Sequence, residues 1–209
     1  MAYRQTPAVQ ARLEDTRRRI LKAARSLISE GGWQQAQVAS VAAVAGIATG
    51  TVYRYFASKA ELFAEVLSLV SQREVDVIKA ISSSDGSAQA RLHAAVATFV
   101  KRALRNPRLA YALIAEPCDP EIDAARLTYR AALSEAIRQI ITHGQDNGEF
   151  HPDIQPDIAA SVIVGGFMEG LIGPLSPLNH QQPHAAHHPH SEIEQIATQA
   201  CRSVSIQAA

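Results

Sequence analysis

The chain has 209 residues, enough for one substantial domain or for two small domains that share a helix. Hydrophobic residues make up 47% of it and aromatic residues only 5%, and Val, Ile and Leu recur mostly at spacings of three and four residues. This pattern predicts an all-α protein rather than a β-sandwich or barrel. The two cysteines, Cys118 and Cys201, are too few for a disulfide framework and lie in no metal-binding or redox spacing.

The formal net charge is zero, but the charges are unevenly distributed along the chain. Residues 1–60 carry nine basic and three acidic side chains, whereas residues 61–209 carry 11 basic and 17 acidic ones. A basic N-terminal region predicts contact with a polyanion such as nucleic acid, and the acidic remainder predicts a different task. The N-terminus lacks the apolar core of a signal peptide, and the most apolar stretch, residues 159–175, is interrupted by glycines, Glu169 and Pro174. We therefore expect a soluble cytoplasmic protein with no membrane partner.

The first predicted elements form a small helical unit. An amphipathic helix spans about residues 13–29, with basic side chains opposite its apolar stripe, and Gly31-Gly32 stops it. Two short helical segments follow, at 38–45 and 49–55, separated by Gly46. Two short helices about a glycine-containing turn are typical of a helix-turn-helix.

The rest of the chain is predicted to be helical as well. Ser58 and Glu61 form a capping box that opens a long helix to about residue 81. Asn106-Pro107 and Asp119-Pro120 each combine an N-cap with a proline at the first helical position. Further helices are predicted near residues 92–103, 107–115, 120–146, 157–173 and 193–204. The prediction is thus about nine helices, with a helix-turn-helix domain over residues 1–57 and a second helical domain over residues 58–209.

A dense, ordered motif lies between Val38 and Phe63. Its parts are Ala45-Gly46-Ile47, Gly50-Thr51-Val52-Tyr53, Tyr55-Phe56, Ser58-Lys59 and Glu61-Leu62. In these residues the chain resembles the TetR family of bacterial transcription regulators, over roughly residues 12–66. The resemblance implies a repressor that binds a palindromic operator as a homodimer and is released by a small-molecule effector. It also implies that residues 58–209 form a ligand-sensing and dimerisation domain, in which the last two helices of each subunit form a four-helix dimer interface.

A short helix in the major groove presents its N-terminal residues to the base edges. Thr49, Thr51 and Arg54 are the candidates for base contacts, while Tyr53, Tyr55 and Lys59 suit phosphates. Val52 and Phe56 are expected to attach the helix to the core. With Gly50 for close approach, and one or two residues of the arginine run 17–19, the predicted DNA-binding residues are Arg18, Gln37, Thr49, Gly50, Thr51, Tyr53, Arg54, Tyr55 and Lys59.

Two positions depart from the usual family pattern. Gln37 stands where a capping Thr or Ser is usual before the supporting helix, and Ala48 stands where a Ser is usual before the recognition helix. A lost N-cap costs about 1 kcal/mol. Thr49 is a candidate replacement cap for the recognition helix, and in that role it would be withdrawn from base reading.

The second half of the chain is less specific. The candidate ligand-binding residues are Phe99, Tyr111, Tyr129, Phe167 and Glu169, each of which also fits an ordinary core position or, for Glu169, a paired or exposed carboxylate. The candidate dimer-interface residues are Ile163, Gly166, Phe167, Gly170, Leu171, Ile196 and Ala200. The helix predicted over residues 157–173 could instead be a core helix within one subunit rather than part of a dimer interface.

Other functions are carried by weaker signals. Five histidines between residues 180 and 190 could make the protein a metal-responsive regulator, although a solvated linker explains them as well. A DNA-binding protein without any ligand is a further alternative. Cys118 is either a redox sensor or an inert thiol. The sequence contains no phosphate-binding glycine loop, HExxH or GxSxG motif, so we predict neither an enzyme nor a cofactor.

Overall fold

The computed structural model describes residues 6–177 and 189–205. Over these ranges the chain forms nine helices and no strand, with one isolated bridge between Phe150 and Ser205. The predicted all-α fold of about nine helices is confirmed. The helices are α1 (Pro7–Gln35), α2 (Val38–Ala45), α3 (Thr49–Val52), α4 (Lys59–Ser82), α5 (Ala88–Arg105), α6 (Pro107–Ile114), α7 (Pro120–Asp146), α8 (Pro156–Leu175) and α9 (Pro189–Arg202).

Glycines set the geometry of the N-terminal unit. The backbone of α1 leaves the helical conformation at Gly32, with φ 74° and ψ −165°, close to the predicted stop. Gly46 ends α2 in the left-handed conformation, with φ 67° and ψ 40°, which glycine adopts at little cost. The helix that follows is shorter than predicted, because α3 covers four residues and the chain then turns through residues 53–55.

The helix caps only partly follow the sequence prediction. Ser58 Oγ accepts a hydrogen bond from the backbone N–H of Glu61 at 3.0 Å, so Ser58 caps α4 as predicted. The reciprocal bond of the capping box is shifted by one residue, because Glu61 Oε2 accepts from the N–H of Ala57, at 2.5 Å, rather than from that of Ser58. Asn106 Oδ1 likewise accepts from Leu109 N–H at 3.2 Å and caps α6. Asp119 is the N-cap residue of α7 but makes no side-chain cap bond. Its role is therefore limited to backbone and charge at the start of α7.

Two hydrophobic cores lie along the molecule, and α4 contributes to both. The first contains buried residues of α1, α2, α3 and the N-terminal half of α4, closed by residues of α6 and by Ile122 of α7. The second contains Val75 and Ile78 of α4 together with the buried faces of α5, α7, α8 and α9. A rigid helix shared by two cores couples their positions, since neither core can shift without moving α4.

One helix is apolar on most of its surface. Within the described ranges, α8 alone is long and apolar enough to cross a membrane, with a mean hydropathy of 1.7. Its inner side is buried in the second core, as expected for a core helix of a soluble protein. Its outer side leaves Ile158 and Val162 63% exposed each.

Candidate functional site

The position of α3 is fixed by two buried side chains. Val52 and Phe56 are each 1% exposed and belong to the first core, as the sequence predicted. Their burial turns the rest of the segment outwards: Thr49, Tyr53 and Arg54 are exposed. Thr51 and Tyr55, which complete the predicted set on this segment, are half-buried. The segment therefore presents hydroxyl, phenol and guanidinium groups on one outer surface.

The three consecutive arginines of α1, residues 17–19, make different contacts. Arg17 forms an ion pair with Glu65, donates to the backbone carbonyl of Tyr55 at 3.4 Å and lies 4.6 Å above the ring of Phe56. Arg17 therefore fixes the end of the recognition segment to α1 and α4, a structural role that its charge alone did not reveal.

The two neighbours of Arg17 differ in their contacts. Arg19 donates to the carbonyl of Ala45 at 2.5 Å and so ties the end of α2 to α1. Arg18 is exposed over 78% of its side chain, and among the described residues its one ion pair is with Asp15, at 2.8 Å. Exposed pairs of this kind are weak, so the guanidinium of Arg18 remains available to a phosphate.

Gln37 and Lys59 lie together although 22 residues separate them. Lys59 Nζ is 3.4 Å from Gln37 Oε1 and 5.4 Å from the ring of Phe63. Gln37 makes no cap bond to α2; its side-chain amide donates to the carbonyl of Gln34 instead, at 2.7 Å. A cation and an amide thus stand side by side at the start of α4, beside the recognition segment.

The N-cap of α3 resolves the role considered for Thr49. Ala48 occupies the cap position and Thr49 is the first helical residue, so Thr49 does not replace the missing cap. Gly50 follows it on the outside of α3, and a Cβ built there would meet no atom within 4 Å. The backbone of Gly50 is not among the positive-φ positions. Neither packing nor conformation within the chain requires glycine at this position.

A cavity of about 260 Å³ lies where the two cores meet, partly open to solvent. This volume is near the lower end for small-molecule sites, which typically measure about 300–1,000 Å³. Residues of α1, α4, α5, α6, α7 and α8 contribute to its wall, and the lining is Arg25, Val70, Ser71, Glu74, Phe99, Arg102, Ala103, Arg105, Asn106, Leu109, Ala110, Leu113, Ile114, Arg126, Tyr129, Arg130, Leu133 and Met168.

Two of the five residues predicted to bind a ligand line this cavity, namely Phe99 and Tyr129. Phe167 lies behind the wall, where its ring packs on Phe99 at 4.8 Å. Tyr111 lies outside the lining, with its ring 5.9 Å from the guanidinium of Arg108. Glu169 is exposed on the outer side of α8 rather than buried, so it needs no partner within the subunit.

Sequence reasoning missed the polar part of the cavity wall. Arg102 donates to both carboxylate oxygens of Glu74, at 2.6 and 2.9 Å, and this hydrogen bonding raises the pKa of Arg102 above its usual value. The remaining cations of the wall come from α1, α5 and α7. These arginines come from three separate helices, and nothing in their local pattern distinguishes them from arginines exposed to solvent. Only the fold shows that they line one cavity.

A polar junction connects α1 to α6. Trp33 Nε1 donates to the carbonyl of Ala112 at 2.8 Å, and Glu116, only 8% exposed, accepts from the N–H of Trp33 at 3.3 Å. Both terminal nitrogens of Arg108 donate to Glu116, at 3.0 and 2.7 Å. The same guanidinium reaches the carbonyl of Gly31 at 2.8 Å. The end of α1 is therefore hydrogen-bonded to α6 through both backbone and side chains.

The cavity wall is connected to this junction by Arg126 of α7. Its guanidinium donates to the carbonyls of Ala112, Leu113 and Glu116, at 2.5, 3.0 and 2.6 Å. Ala112 thus accepts from both Arg126 and Trp33. A displacement of Arg126 in the cavity wall would therefore move the carbonyl of Ala112, to which Trp33 at the end of α1 is also hydrogen-bonded.

The residues of α8 predicted at the dimer interface divide between its two sides, with Gly166 and Gly170 on the exposed outer side and the larger side chains on the buried inner side. Ile163, Phe167 and Leu171 are 5%, 4% and 1% exposed and belong to the second core, as does Ala200 of α9 at 9%. These four side chains are buried within the subunit and present no surface to a second copy. Ile196 is half-buried, and the residues of α8 that are exposed are Asp157, Ile158, Ser161, Val162, Gly165, Gly166, Glu169, Gly170 and Gly173.

The thiol of Cys118 is half-buried and lies 3.4 Å from Asp123 Oδ1. Burial, opposed by the nearby charge of Arg126, raises the pKa of Cys118 to about 11. A thiol with a raised pKa is a poor nucleophile at neutral pH, which favours the inert role over redox sensing. Four of the five histidines lie within residues 178–188, outside the described residues, and within the described residues no cluster of three His, Cys, Asp or Glu is placed to hold a metal ion.

A helix-turn-helix with an exposed short helix, and a cavity whose wall shares hydrogen bonds with the end of α1, are the features of a DNA-binding regulator with an internal effector site. The family description "Bacterial regulatory proteins, tetR family" matches residues 20–66, and "Tetracyclin repressor-like, C-terminal domain" matches residues 83–186. The chain belongs to the TetR family of bacterial regulatory proteins. The resemblance inferred from residues 12–66 is confirmed.

Known relatives agree with this assignment. The chain is 26% identical to the transcriptional regulator UidR of Escherichia coli K12 over 160 residues, which are 75% of this chain and 80% of UidR. It is 33% identical to the transcriptional repressor KstR of Mycolicibacterium smegmatis over 99 residues, which are 47% and 48% of the two chains. The crystal structure of FadR from Bacillus subtilis in complex with stearoyl-CoA has the same fold, with a TM-score of 0.75 at 19% identity over 88% of this chain and 96% of FadR.

The protein is therefore a ligand-responsive, DNA-binding transcriptional regulator. The family consists of regulators rather than enzymes, and its members are soluble proteins that bind operator DNA and small-molecule effectors, typically as dimers.

Proposed function

We propose that this protein is a cytoplasmic repressor that binds a palindromic operator as a homodimer and leaves it when a small molecule fills the cavity. Residues 1–57 read the DNA, and residues 58–209 sense the effector and form the dimer. The single observation that carries this proposal is the outward surface of α3, held in place by the burial of Val52 and Phe56.

The exposed surface of α3 has the chemistry that DNA recognition requires. Arg54 can donate two hydrogen bonds to a guanine, and a threonine can contact the methyl group of thymine. Nothing within the chain requires a glycine at position 50, and the absence of a side chain there lets the backbone of α3 approach the DNA closely. Lys59, Tyr53 and Arg18 lie on exposed or half-exposed positions around it and supply phosphate contacts, which fix position without reading sequence.

The dimer interface is proposed on the outer side of α8. Ile158 and Val162 are large apolar side chains left 63% exposed by the single chain, and Gly165 and Gly166 have open space beyond them. Apolar side chains beside glycines suit close packing against a second copy of the same helix, together with the exposed side of α9. Two copies present two recognition helices, so the operator would be palindromic with half-sites a helical turn or more apart.

Effector release is proposed to pass through α6. A ligand in the cavity contacts Leu109, Leu113 and Arg126, and Arg126 is hydrogen-bonded to the same carbonyl of Ala112 that accepts from Trp33. A ligand changes DNA affinity only if it binds the two conformations unequally. The stearoyl-CoA complex of B. subtilis FadR supports the idea that this fold carries a small molecule.

Selection of bound duplexes from a random pool tests the DNA-binding part. We expect a palindromic consensus. Arg54→Ala should relax base preference at one position in each half-site, at a cost of about 1–3 kcal/mol in discrimination. Lys59→Ala should weaken binding to all duplexes alike and reduce the salt dependence by about one counterion per subunit. If both variants lost sequence preference equally, or if the protein bound no duplex at low salt, the proposal would be overturned.

A further inference from the structure

The charges on the cavity wall are strongly unbalanced. Five arginines and a single carboxylate, Glu74, line it. Glu74 is already bound through both oxygens by Arg102, and the guanidinium of Arg126 is directed to three backbone carbonyls of the α6 end and to Asp123 at 2.7 Å. These two arginines therefore have structural partners.

Three arginines of the wall lack such partners. Arg25 of α1, Arg105 of α5 and Arg130 of α7 are exposed, and no carboxylate of the described residues forms an ion pair with any of them. Arg130 makes one long hydrogen bond, 3.4 Å to the carbonyl of Ile114. Like charges gathered around one opening repel each other and concentrate anions there.

Another part of the cavity wall is apolar and buried. Phe99, Leu133 and Met168 line it and are 7%, 3% and 7% exposed. A polar ligand would leave its own donors and acceptors unpaired against these side chains, at a cost in binding free energy. The wall of the cavity thus combines buried apolar side chains with exposed guanidinium groups.

We propose that the cavity binds an amphipathic anion, whose charged group lies among Arg25, Arg105 and Arg130 and whose apolar body lies against Phe99, Leu133 and Met168. This inference rests on the effector-binding role proposed above and adds the chemical class of the effector. Carboxylates and phosphates share the chemistry that guanidinium groups recognise. A free carboxylic acid and the phosphate-bearing coenzyme A thioester of such an acid are two sources of it.

The position of Arg25 gives the anion a regulatory consequence. Arg25 belongs to α1 and therefore to the DNA-reading unit, whereas Arg105 and Arg130 belong to helices of the second core. Without an anion these cations repel one another across the boundary between the two units. With an anion between them they are held together, so the bound ligand favours one relative orientation of the two units.

Binding of ten-carbon probes tests the ligand class without reference to DNA. Decanoate, decan-1-ol and decanoyl-CoA are compared by equilibrium dialysis below their aggregation concentrations. Decanoate should bind roughly 10-fold or more tightly than decan-1-ol, because charge-assisted hydrogen bonds replace neutral ones. Tighter binding of decanoyl-CoA than of decanoate would identify the phosphate-bearing thioester as the source, and the reverse would identify the free acid.

Matched variants locate the charged group. Arg105→Gln should reduce the advantage of decanoate over decan-1-ol, and the double variant with Arg130→Gln should abolish most of it. Lys101→Gln makes the same charge change at an exposed residue of α5 that lies outside the cavity, and it should leave the advantage intact. Arg25→Gln should retain binding by the two remaining arginines while reducing the effect of decanoate on DNA release.

The outcomes separate this inference from the proposed function. If decan-1-ol bound as well as decanoate, if no probe bound to the folded protein, or if Lys101→Gln acted like Arg105→Gln, the anion assignment would be wrong. DNA binding measured on the same preparations reports on the regulator role independently. Retained operator binding with no anion binding would refute only the ligand class, whereas anion binding without affinity for any duplex would refute the regulator role.

Discussion

Replacing Trp33 by phenylalanine tests the junction between α1 and α6. Trp33 is 5% exposed, packs on Phe63 with ring centroids 5.4 Å apart, and donates through Nε1 to the carbonyl of Ala112 at 2.8 Å. The variant removes this hydrogen bond and leaves a small void where the larger ring system was. Ala112 keeps its second donor, Arg126, so the carbonyl is not left unsatisfied.

The expected loss of stability follows from these contacts. A hydrogen bond whose acceptor keeps another donor contributes about 1 kcal/mol, and the partial void adds roughly 1–2 kcal/mol. Trp33→Phe should therefore lower the free energy of unfolding by about 2–3 kcal/mol, measured by urea denaturation. Operator affinity should remain within a few-fold of the original, while the effector should release the DNA less effectively because α6 has lost one connection to α1.

A second variant distinguishes loss of coupling from general destabilisation. Phe150 is 1% exposed in the second core, away from the junction, and Phe150→Leu should lower stability by about 1–2 kcal/mol through loss of packing. It should leave the effector response unchanged. The reasoning would be refuted if Phe150→Leu weakened the response as much as Trp33→Phe, or if Trp33→Phe cost less than about 0.5 kcal/mol.

Three further predictions concern the dimer, α1 and the thiols. Val162→Asp should raise the dimer dissociation constant roughly 100-fold in sedimentation experiments, since both subunits lose the apolar surface that Val162 would bury. Leu69→Asp introduces the same charge at an exposed apolar residue of α4 and should leave the dissociation constant unchanged; equal effects of the two variants would show that the interface does not lie on α8. Arg17→Ala should cost about 1 kcal/mol of stability and Arg18→Ala less than 0.5, and the opposite order in urea denaturation would contradict their assigned roles. Because the pKa of Cys118 is raised to about 11, its alkylation at pH 8 should be roughly 100-fold slower than that of free cysteine and should still be rising at pH 9.5; a plateau below pH 9 would refute this.

The N-terminal unit could be predicted from the sequence because its signals are local. Gly46 ends α2 in a conformation that glycine adopts most easily, and Ser58 with Glu61 forms its cap over four residues. Val52 and Phe56 are the apolar positions of a short polar segment, so their burial follows from the pattern. Each of these features depends on residues within one turn of each other.

Which side of α8 is exposed could not be predicted in the same way. α8 is apolar on most sides, so its sequence does not indicate which side meets the core. Ile163 and Phe167 were predicted at the interface but are buried in the subunit, whereas Ile158 and Val162 are exposed. The choice between the two sides depends on how α5, α6, α7 and α9 pack against α8, and the sequence of α8 alone does not determine that packing.

The cavity is harder still, because its wall is assembled from distant parts of the chain. Arg25 and Arg130 are separated by about half of the sequence and meet only in the folded protein. Phe99 and Tyr129 were found because aromatic residues among apolar helices are natural candidates for a pocket. The arginines gave no such signal, since most arginines in a sequence are solvated.

The claim that α3 reads DNA is tested most directly by Gly50→Ala. The added methyl group meets no atom of the chain within 4 Å, and alanine favours a helix over glycine by up to about 1 kcal/mol, so the free protein should be as stable or slightly more stable. Operator affinity should nevertheless fall by roughly 10-fold or more, because the methyl group would stand between α3 and the DNA. An unchanged operator affinity in a fully folded Gly50→Ala protein would contradict the placement of α3 in the groove.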